Sequence, residues 1–436
     1  MSLNKKLLAG TIAGLLISTT ASAVSLGNDD AREYAREMTK PVAITDPADT
    51  IEVAIGYNFS PSEVRYARLE CSSSITIENP VVASSDPALV DVGAVNGAGT
   101  PALFFSLTAD AALAVPTDVV EIQLDADNTL ESNDDVNCSF SLYDQPSQAQ
   151  AGGATGRIYT TGPLPFITSV PSFEFEATPG QAIADVEAVD GAYTDFLSGG
   201  VFGEIFFDLV ANEPFKADGT LITMADLFDA DTNITIEGDF SAAADVEFTG
   251  FRNWGPADSV TDDAANFIVG SNWQIDSIEY IPNLADQILE STYTATLDAV
   301  ANAGYTIADV GPLDAGEIIR NGTQLQAPLA QLPANWLSRV VITNTGALDR
   351  PYEISVFGET GNTISTNAAN MTGSVPAGGT KVVDLETVLT GFTGAPRATI
   401  NLTVAGPNNQ IQGLYQIVNP ASGSISNHVM VRPGTN

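Results

Sequence analysis

The chain of 436 residues carries 54 acidic and 16 basic side chains, a net charge of −38. That balance excludes nucleic acid and anionic membrane as partners, because phosphate recognition needs clustered Lys and Arg. It does not mark a disordered chain, since hydrophobic residues make up 44% and aromatics 8%, enough for real cores.

Residues 1–23 read as a secretory signal peptide. Lys5 and Lys6 form the positive start, Leu7 to Ile17 the apolar stretch, and Ala21-Ser22-Ala23 the small-residue exit, so the mature chain is expected to begin at Val24. The apolar run is short for a bilayer span, which makes an uncleaved anchor the weaker alternative. No later run of about 18 apolar residues exists, so no transmembrane segment is expected in the mature chain. The expected location is outside the cytoplasm.

The charge is uneven. Residues 312–436 hold 7 acids and 6 bases (Arg320, Arg339, Arg350, Lys381, Arg397 and Arg432), whereas residues 24–311 hold 47 acids and 8 bases. Self-repulsion of this size destabilises a compact state unless salt or cations screen it. A surface adapted to brine or seawater and a surface that collects Ca²⁺ both fit, and they are compatible.

Residues 24–40 are a polar lead-in. Asp29 to Met38, with acids early and Lys40 late, fits a short helix ended by Pro41. From Val42 short β-branched and aromatic runs are broken by Gly, Pro, Asn and Asp, the pattern of strands and turns. In Val64 to Cys71, Ala67, Leu69 and Cys71 share one face; in Val136 to Tyr143, Val136, Cys138, Phe140 and Leu142 share one face. Residues 41–165 therefore read as an acidic β-sandwich. A disulfide between Cys71 and Cys138 is the natural inference in an oxidising compartment, with two buried free thiols as the rival. The bridge closes a loop of about 68 residues, worth roughly 4 kcal/mol in the chain-entropy model. An inward pair across two sheets matches the immunoglobulin sandwich. Since the tryptophans are Trp254, Trp273 and Trp336, none lies between the cysteines, and an immunoglobulin-like sandwich is expected rather than a true immunoglobulin domain.

Pro146 to Gly156 reads as a linker or long loop. Residues 166–311 read as a second acidic β-rich domain, with strands at Ser172–Ala177, Ile205–Leu209, Asn233–Ile236, Asp245–Phe248, Phe267–Val269, Gln274–Tyr280 and Thr292–Leu297. Thr223 can cap a single helical turn ending near Phe228. Residues 312–436 read as a near-neutral sandwich, with six strands at Leu337–Thr343, Tyr352–Phe357, Lys381–Leu385, Arg397–Val404, Ile411–Val418 and Ser424–Val431 and a seventh at Asn370–Val375. The predicted fold is all-β, with tandem immunoglobulin-like β-sandwich domains after the signal peptide.

Chemistry-bearing patterns are sparse. The one histidine, His428, sits in a strand with no nucleophile near it in sequence, so a surface or edge-strand position is expected. With one His and two probable half-cystines, a His/Cys zinc site is excluded. No G-x-S-x-G, P-loop or dinucleotide fingerprint is present. Two acidic clusters resemble calcium loops. Asp229, Asp231 and Asn233 match the first three ligand positions of an EF-hand, but Ile234 and Phe240 stand where Gly and Glu belong. Asp125, Asp127 and Asp134, with Asn128, Glu131 and Asp135, read as carboxylates packed into a turn before the Cys138 strand. Each cluster is a candidate Ca²⁺ site, with a set of solvated turn acids as the favoured alternative.

In the last 100 residues or so, Leu337 to Gly346, Tyr352 to Val356, Val375 to Thr380 and Gly413 to Asn419 resemble a β-sandwich module of secreted cell-surface proteins of Gram-negative bacteria. The whole-chain composition is also similar to surface-layer proteins, with five lysines, five methionines, two cysteines and a pI near 4.1. Surface-layer homology repeats and calcium-binding nonapeptides are missing. The resemblance implies an outer-surface or extracellular location on a Gram-negative bacterium, marine or halophilic by its acidity. The expectation is a structural, self-assembling surface protein rather than an enzyme, its acidic domains binding divalent cations. The alternatives are a monomeric adhesin or carbohydrate-binding module and, less favoured, an extracellular hydrolase built on two carboxylates in a pocket.

Overall fold

A computed structural model describes residues 24–27, 29–114, 119–250, 255–272, 274–332, 335–358, 364–392 and 397–433. The signal peptide expectation and the first two tryptophans lie outside the described residues. Among the described residues strands dominate, with three short α-helices, so the chain is all-β. Its contacts divide into two units. One comprises the residues up to Glu174 with Leu209–Phe228 and Ala301–Ile307; the other comprises Phe175–Asp208, Asp229–Val300 and the residues from Ala308.

The first unit contains two sheets. One places Glu121–Leu130 at its centre, flanked by Thr50–Ala54, Val42–Ala43 and Ile75–Ser84. The other runs in the order Arg32–Ala35, Leu164–Val170, Val136–Tyr143, Val64–Cys71, Ala102–Ala109, Val90–Val92. Alternate residues are buried, as in Ala102–Ala109, where Leu103, Phe105, Leu107 and Ala109 face inward.

Three expectations change here. Arg32–Ala35 is a strand, not part of a short helix. Its backbone is claimed on both edges, by Ile167 to Val170 in parallel and by Phe215, whose N–H donates to Glu33 O (2.9 Å) while Ala35 N–H donates to Phe215 O (2.9 Å). Burial of Tyr34 and Ala35 outweighs the favourable helix charges. Second, Pro146–Ala151 is a helix inside the supposed linker. Pro146 occupies its first turn, Ala149 is buried, and the Arg68 guanidinium donates to the carbonyls of Ala149 (3.1 Å) and Gln150 (3.0 Å) at its end. Third, Cys71 and Cys138 are disulfide-bonded as expected, but they are direct partners on neighbouring antiparallel strands of one sheet. The bridge does not span two sheets, so the immunoglobulin pattern is not reproduced.

In the second unit a ten-stranded sheet curls until its ends meet. The edge strands Gly255–Pro256 and Ser259–Val260 follow one another in the chain and pair with Ala243–Gly250 and Ala264–Ile268, so residues 255–260 join the two ends. Ala257 N–H donates to Val246 O (2.8 Å) and Asp258 N–H to Asn266 O (2.8 Å). Phe248 and Phe267, from opposite ends of the strand order, stack with centroids 3.8 Å apart. Phe202, Phe240, Tyr280 and Tyr293 fill the interior. The tight curl needs glycine where three strands approach. A Cβ on Gly203 would lie 1.9 Å from Ala315 O, and one on Gly316 2.0 Å from Phe202 O. The capped turn at Thr223, in the first unit, is present as Met224–Leu227.

The chain then forms two four-stranded sheets around one apolar core. Thr323–Gln331, Arg397–Val404, Arg350–Gly358 and Thr372–Val375 make one; Thr380–Asp384, Leu337–Asn344, Ile411–Asn419 and Ser424–Val429 make the other. Val340, Ile342, Ile354, Ile400, Leu402 and Val404 meet between them. The seven predicted strands are all present, Arg397–Val404 with the expected bounds and the other six with bounds moved by a few residues. The eighth, Thr323–Gln331, escapes a sequence reading because Pro328 interrupts it, and its register shifts between Ala327 and Ala330.

Candidate functional site

The calcium candidates are scattered rather than gathered. Asp125 and Asp127 lie within the strand Glu121–Leu130, opposite Val81 and Glu78, not in the turn that holds Asp134. The alternation carries Ile122, Leu124 and Leu130 inward and keeps this segment extended. Asp127 accepts from Asn79 Nδ2 (2.8 Å), Asp134 from Ser132 Oγ (3.1 Å) and Asp135 from Thr168 Oγ1. In the other cluster Asp229 Oδ1 accepts from Asp231 N–H (3.1 Å), and Asn233 Oδ1 accepts from Asn266 Nδ2 (2.9 Å). Among the described residues no three His, Cys, Asp or Glu side chains converge as a cage for a metal ion. His428 lies on an exposed edge strand, stacked on Tyr415, its Nε2 3.0 Å from Ser426 Oγ.

A buried polar cluster lies in the first unit. Asp46 accepts from Tyr34 Oη (2.9 Å), from Arg32 Nε and from Ala48 N–H (2.9 Å). Arg32 also lies over the Phe215 ring, 3.9 Å from its centroid. Asp49, 4% exposed, accepts from Asn128 Nδ2 (2.8 Å) through Oδ2, while its Oδ1 has no partner. Burial pushes the Asp49 carboxyl up to about 7, and nearby Asp46 adds to the shift.

The second unit holds a cleft of about 880 Å³, within the range of small-molecule sites. It opens where the strand Val310–Arg320 hands over to the C-terminal sheets. Arg320 is its centre. The backbone N–H donates to Glu290 Oε1 (3.1 Å), Nε donates to Ile288 O (2.7 Å), and Cζ lies 4.4 Å from the Tyr193 ring centroid. Nη2 is buried with no partner. The walls are tied to one another. Ile288 N–H donates to Tyr193 O (2.9 Å), Tyr193 N–H to Asp185 O (2.7 Å), Asn321 Nδ2 to Asp185 Oδ1 (2.9 Å) and Val186 N–H to Asn321 Oδ1 (2.6 Å). Gly322, at φ +145°, turns the chain where a Cβ would lie 2.9 Å from the Tyr193 hydroxyl.

The opposite wall is built by Tyr352, Glu353 and Gly373 of the C-terminal sheet. Burial pushes both tyrosine phenols up and pulls the Arg320 guanidinium down, though a guanidinium stays charged at neutral pH. Neither Tyr193 nor Tyr352 spends its hydroxyl on a hydrogen bond among the described residues. None of these residues stood out in the sequence. The signal that was there is Arg320 itself, the only basic residue between Arg252 and Arg339.

One further surface stands out. Ser424–Val429 forms the outer edge of its sheet and is exposed at all six positions, with Ile425 60% and Val429 78% exposed. Comparison with protein-family models and with curated proteins finds no match to this chain, so its geometry and charge are the ground on which function is argued.

Proposed function

We propose that this chain is a non-catalytic structural subunit, exported to the bacterial surface, that assembles with copies of itself through its C-terminal sandwich. The observation that carries this reading is the free edge Ser424–Val429. An unpaired strand edge offers a row of N–H and C=O groups to another strand, and exposed Ile425 and Val429 add apolar surface to be buried. Copies of a chain with net charge −38 repel one another, and they approach at least cost through the segment 312–436, which holds 7 acids against 6 bases. Divalent cations between facing carboxylates of the acidic regions offset the remaining repulsion.

The test is sedimentation and negative-stain imaging of residues 24–436 in EDTA, in millimolar CaCl₂, and in NaCl of matched ionic strength. Ordered sheets or fibres are expected, and the doubly substituted Ile425→Lys, Val429→Lys chain should stay monomeric. A monomer under every condition, or assembly that survives the two lysines, would sink the reading. Assembly in NaCl equal to that in CaCl₂ would remove specific cation bridging while leaving the edge contact.

A further inference from the structure

The cleft at Arg320 does not contribute to strand-edge assembly, and its chemistry points elsewhere. We propose that it is a saccharide-binding site that takes a neutral, polyhydroxylated ligand. The cleft holds unspent hydrogen-bonding capacity. Among the described residues Arg320 spends only its backbone N–H and Nε on hydrogen bonds, to Glu290 Oε1 and Ile288 O, and its buried Nη2 has no acceptor. The Tyr193 and Tyr352 hydroxyls, which can each donate and accept, make no hydrogen bond among the described residues. Glu290 and Glu353 line the same cleft as acceptors, yet among the described residues neither forms an ion pair with Arg320.

The mixture selects the ligand. A purely anionic ligand would satisfy Arg320 but face the two glutamates, inside a chain that is already strongly negative. A cation would meet the fixed guanidinium. A sugar carries hydroxyls that accept from Arg320 and the tyrosines and donate to the glutamates, so it meets both kinds of group at once. Its C–H faces find apolar surface in Leu289, 44% exposed, and Pro351. The Tyr193 side of the cleft is already hydrogen-bonded through Asp185, Asn321 and Ile288, so little of the binding energy goes into ordering it.

The experiment uses residues 24–436 and a panel of neutral hexasaccharides (malto-, cello-, laminari-, xylo- and chito-series), with hexagalacturonate as the anionic comparison, read by titration calorimetry. At least one neutral hexasaccharide is expected to bind. Tyr352→Phe removes only a hydroxyl with no partner in the fold, so melting should not move while affinity falls about tenfold. Glu353→Gln should weaken binding similarly, and Gln416→Ala, on a different sheet from Tyr352, should not. Binding of hexagalacturonate alone, binding of no saccharide, or unchanged affinity in Tyr352→Phe would each overturn the proposal. Loss of assembly in the lysine variants described above leaves this binding intact, so the two readings fail separately.

Discussion

The first unit and the C-terminal sandwich are both built from alternating strands, yet they treat charge in opposite ways. The first unit buries Asp46 and Asp49, ties Asp46 to Arg32, and clamps two neighbouring strands with a disulfide. The sandwich surrounds an apolar cluster, and the polar Ser338 and Asn344 at its border are neutral and hydrogen-bonded. Arg350 is buried as well, but it turns away from that cluster to reach Glu187 (3.3 Å) and Val186 O (3.4 Å). A buried carboxylate ties stability to pH and a disulfide ties it to redox state, whereas an apolar core answers to neither. Solution conditions should therefore act on one region and spare the other, and four experiments sharpen or break that contrast.

The largest effect is expected from Cys71→Ser with Cys138→Ser. The cysteines are 67 residues apart, and opening that loop should cost the first unit roughly 4 kcal/mol. Hydrogen exchange should show lost protection in Val64–Cys71 and unchanged protection in Leu337–Asn344. Equal losses in both would mean that the two regions unfold as one and that the contrast has no thermodynamic content.

Next is pH. The folded chain keeps a proton on Asp49 up to about 7, while an unfolded aspartate releases it near 3.8. The contribution to stability is complete below the unfolded value and is lost as pH rises through about 7. Between about pH 5 and pH 8 the first unit should lose roughly 3 kcal/mol. Asp46 and Asp125 oppose the charged form, whereas Arg32 and the Asn128 amide favour it. Asp49→Asn should flatten this dependence and raise the melting temperature at pH 8. A profile that stays steep in Asp49→Asn would assign the effect to another group.

A smaller effect belongs to the sandwich. Asn344 Nδ2 donates to Leu348 O (2.8 Å) and Pro376 O (3.2 Å), and its Oδ1 accepts from Gly346 N–H (2.9 Å), so one side chain holds two turns. Asn344→Ala should cost about 2 kcal/mol in denaturant unfolding, the same at pH 5 and pH 8. Smallest is Arg339→Gln. Its pair with Asp384 is 2.8 Å long, but Asp384 is exposed and Arg339 partly so, and the loss should be under about 1 kcal/mol and shrink with added salt. A pH-dependent cost at Asn344, or a large one at Arg339, would blur the contrast from the sandwich side.

Much of the fold could be read before any coordinates. Ala398 to Val404 alternates strictly, and its inward residues are core residues, because a half-buried strand leaves a local record at every second position. Thr223 announces its helical turn through its own side chain, which accepts from Asp226 N–H. The misreadings have a common cause. Glu33 and Tyr34 belong to a strand because Phe215 and Ile167, far away in the chain, supply its hydrogen bonds. The segment from Asp125 to Asp135 reads as one acidic turn before the Cys138 strand, and only strand pairing separates its members. The cleft was illegible for the same reason, since Tyr193, Arg320 and Tyr352 form no motif and come from a loop and two different sheets.

What the sequence by itself determined is the all-β character, the alternation that assigns the inner faces, the pairing of two cysteines and the charge gradient along the chain. Each of these depends on a residue and its near neighbours, or on composition. What only the tertiary structure decided is which strands lie side by side, that the disulfide stays within one sheet, that the ten-stranded sheet closes on itself, and that Arg320 is left with an unspent donor in a walled cleft. Those outcomes depend on hydrogen bonds and packing between residues of different strands, from about twenty to more than a hundred positions apart, and local periodicity carries no record of such partners.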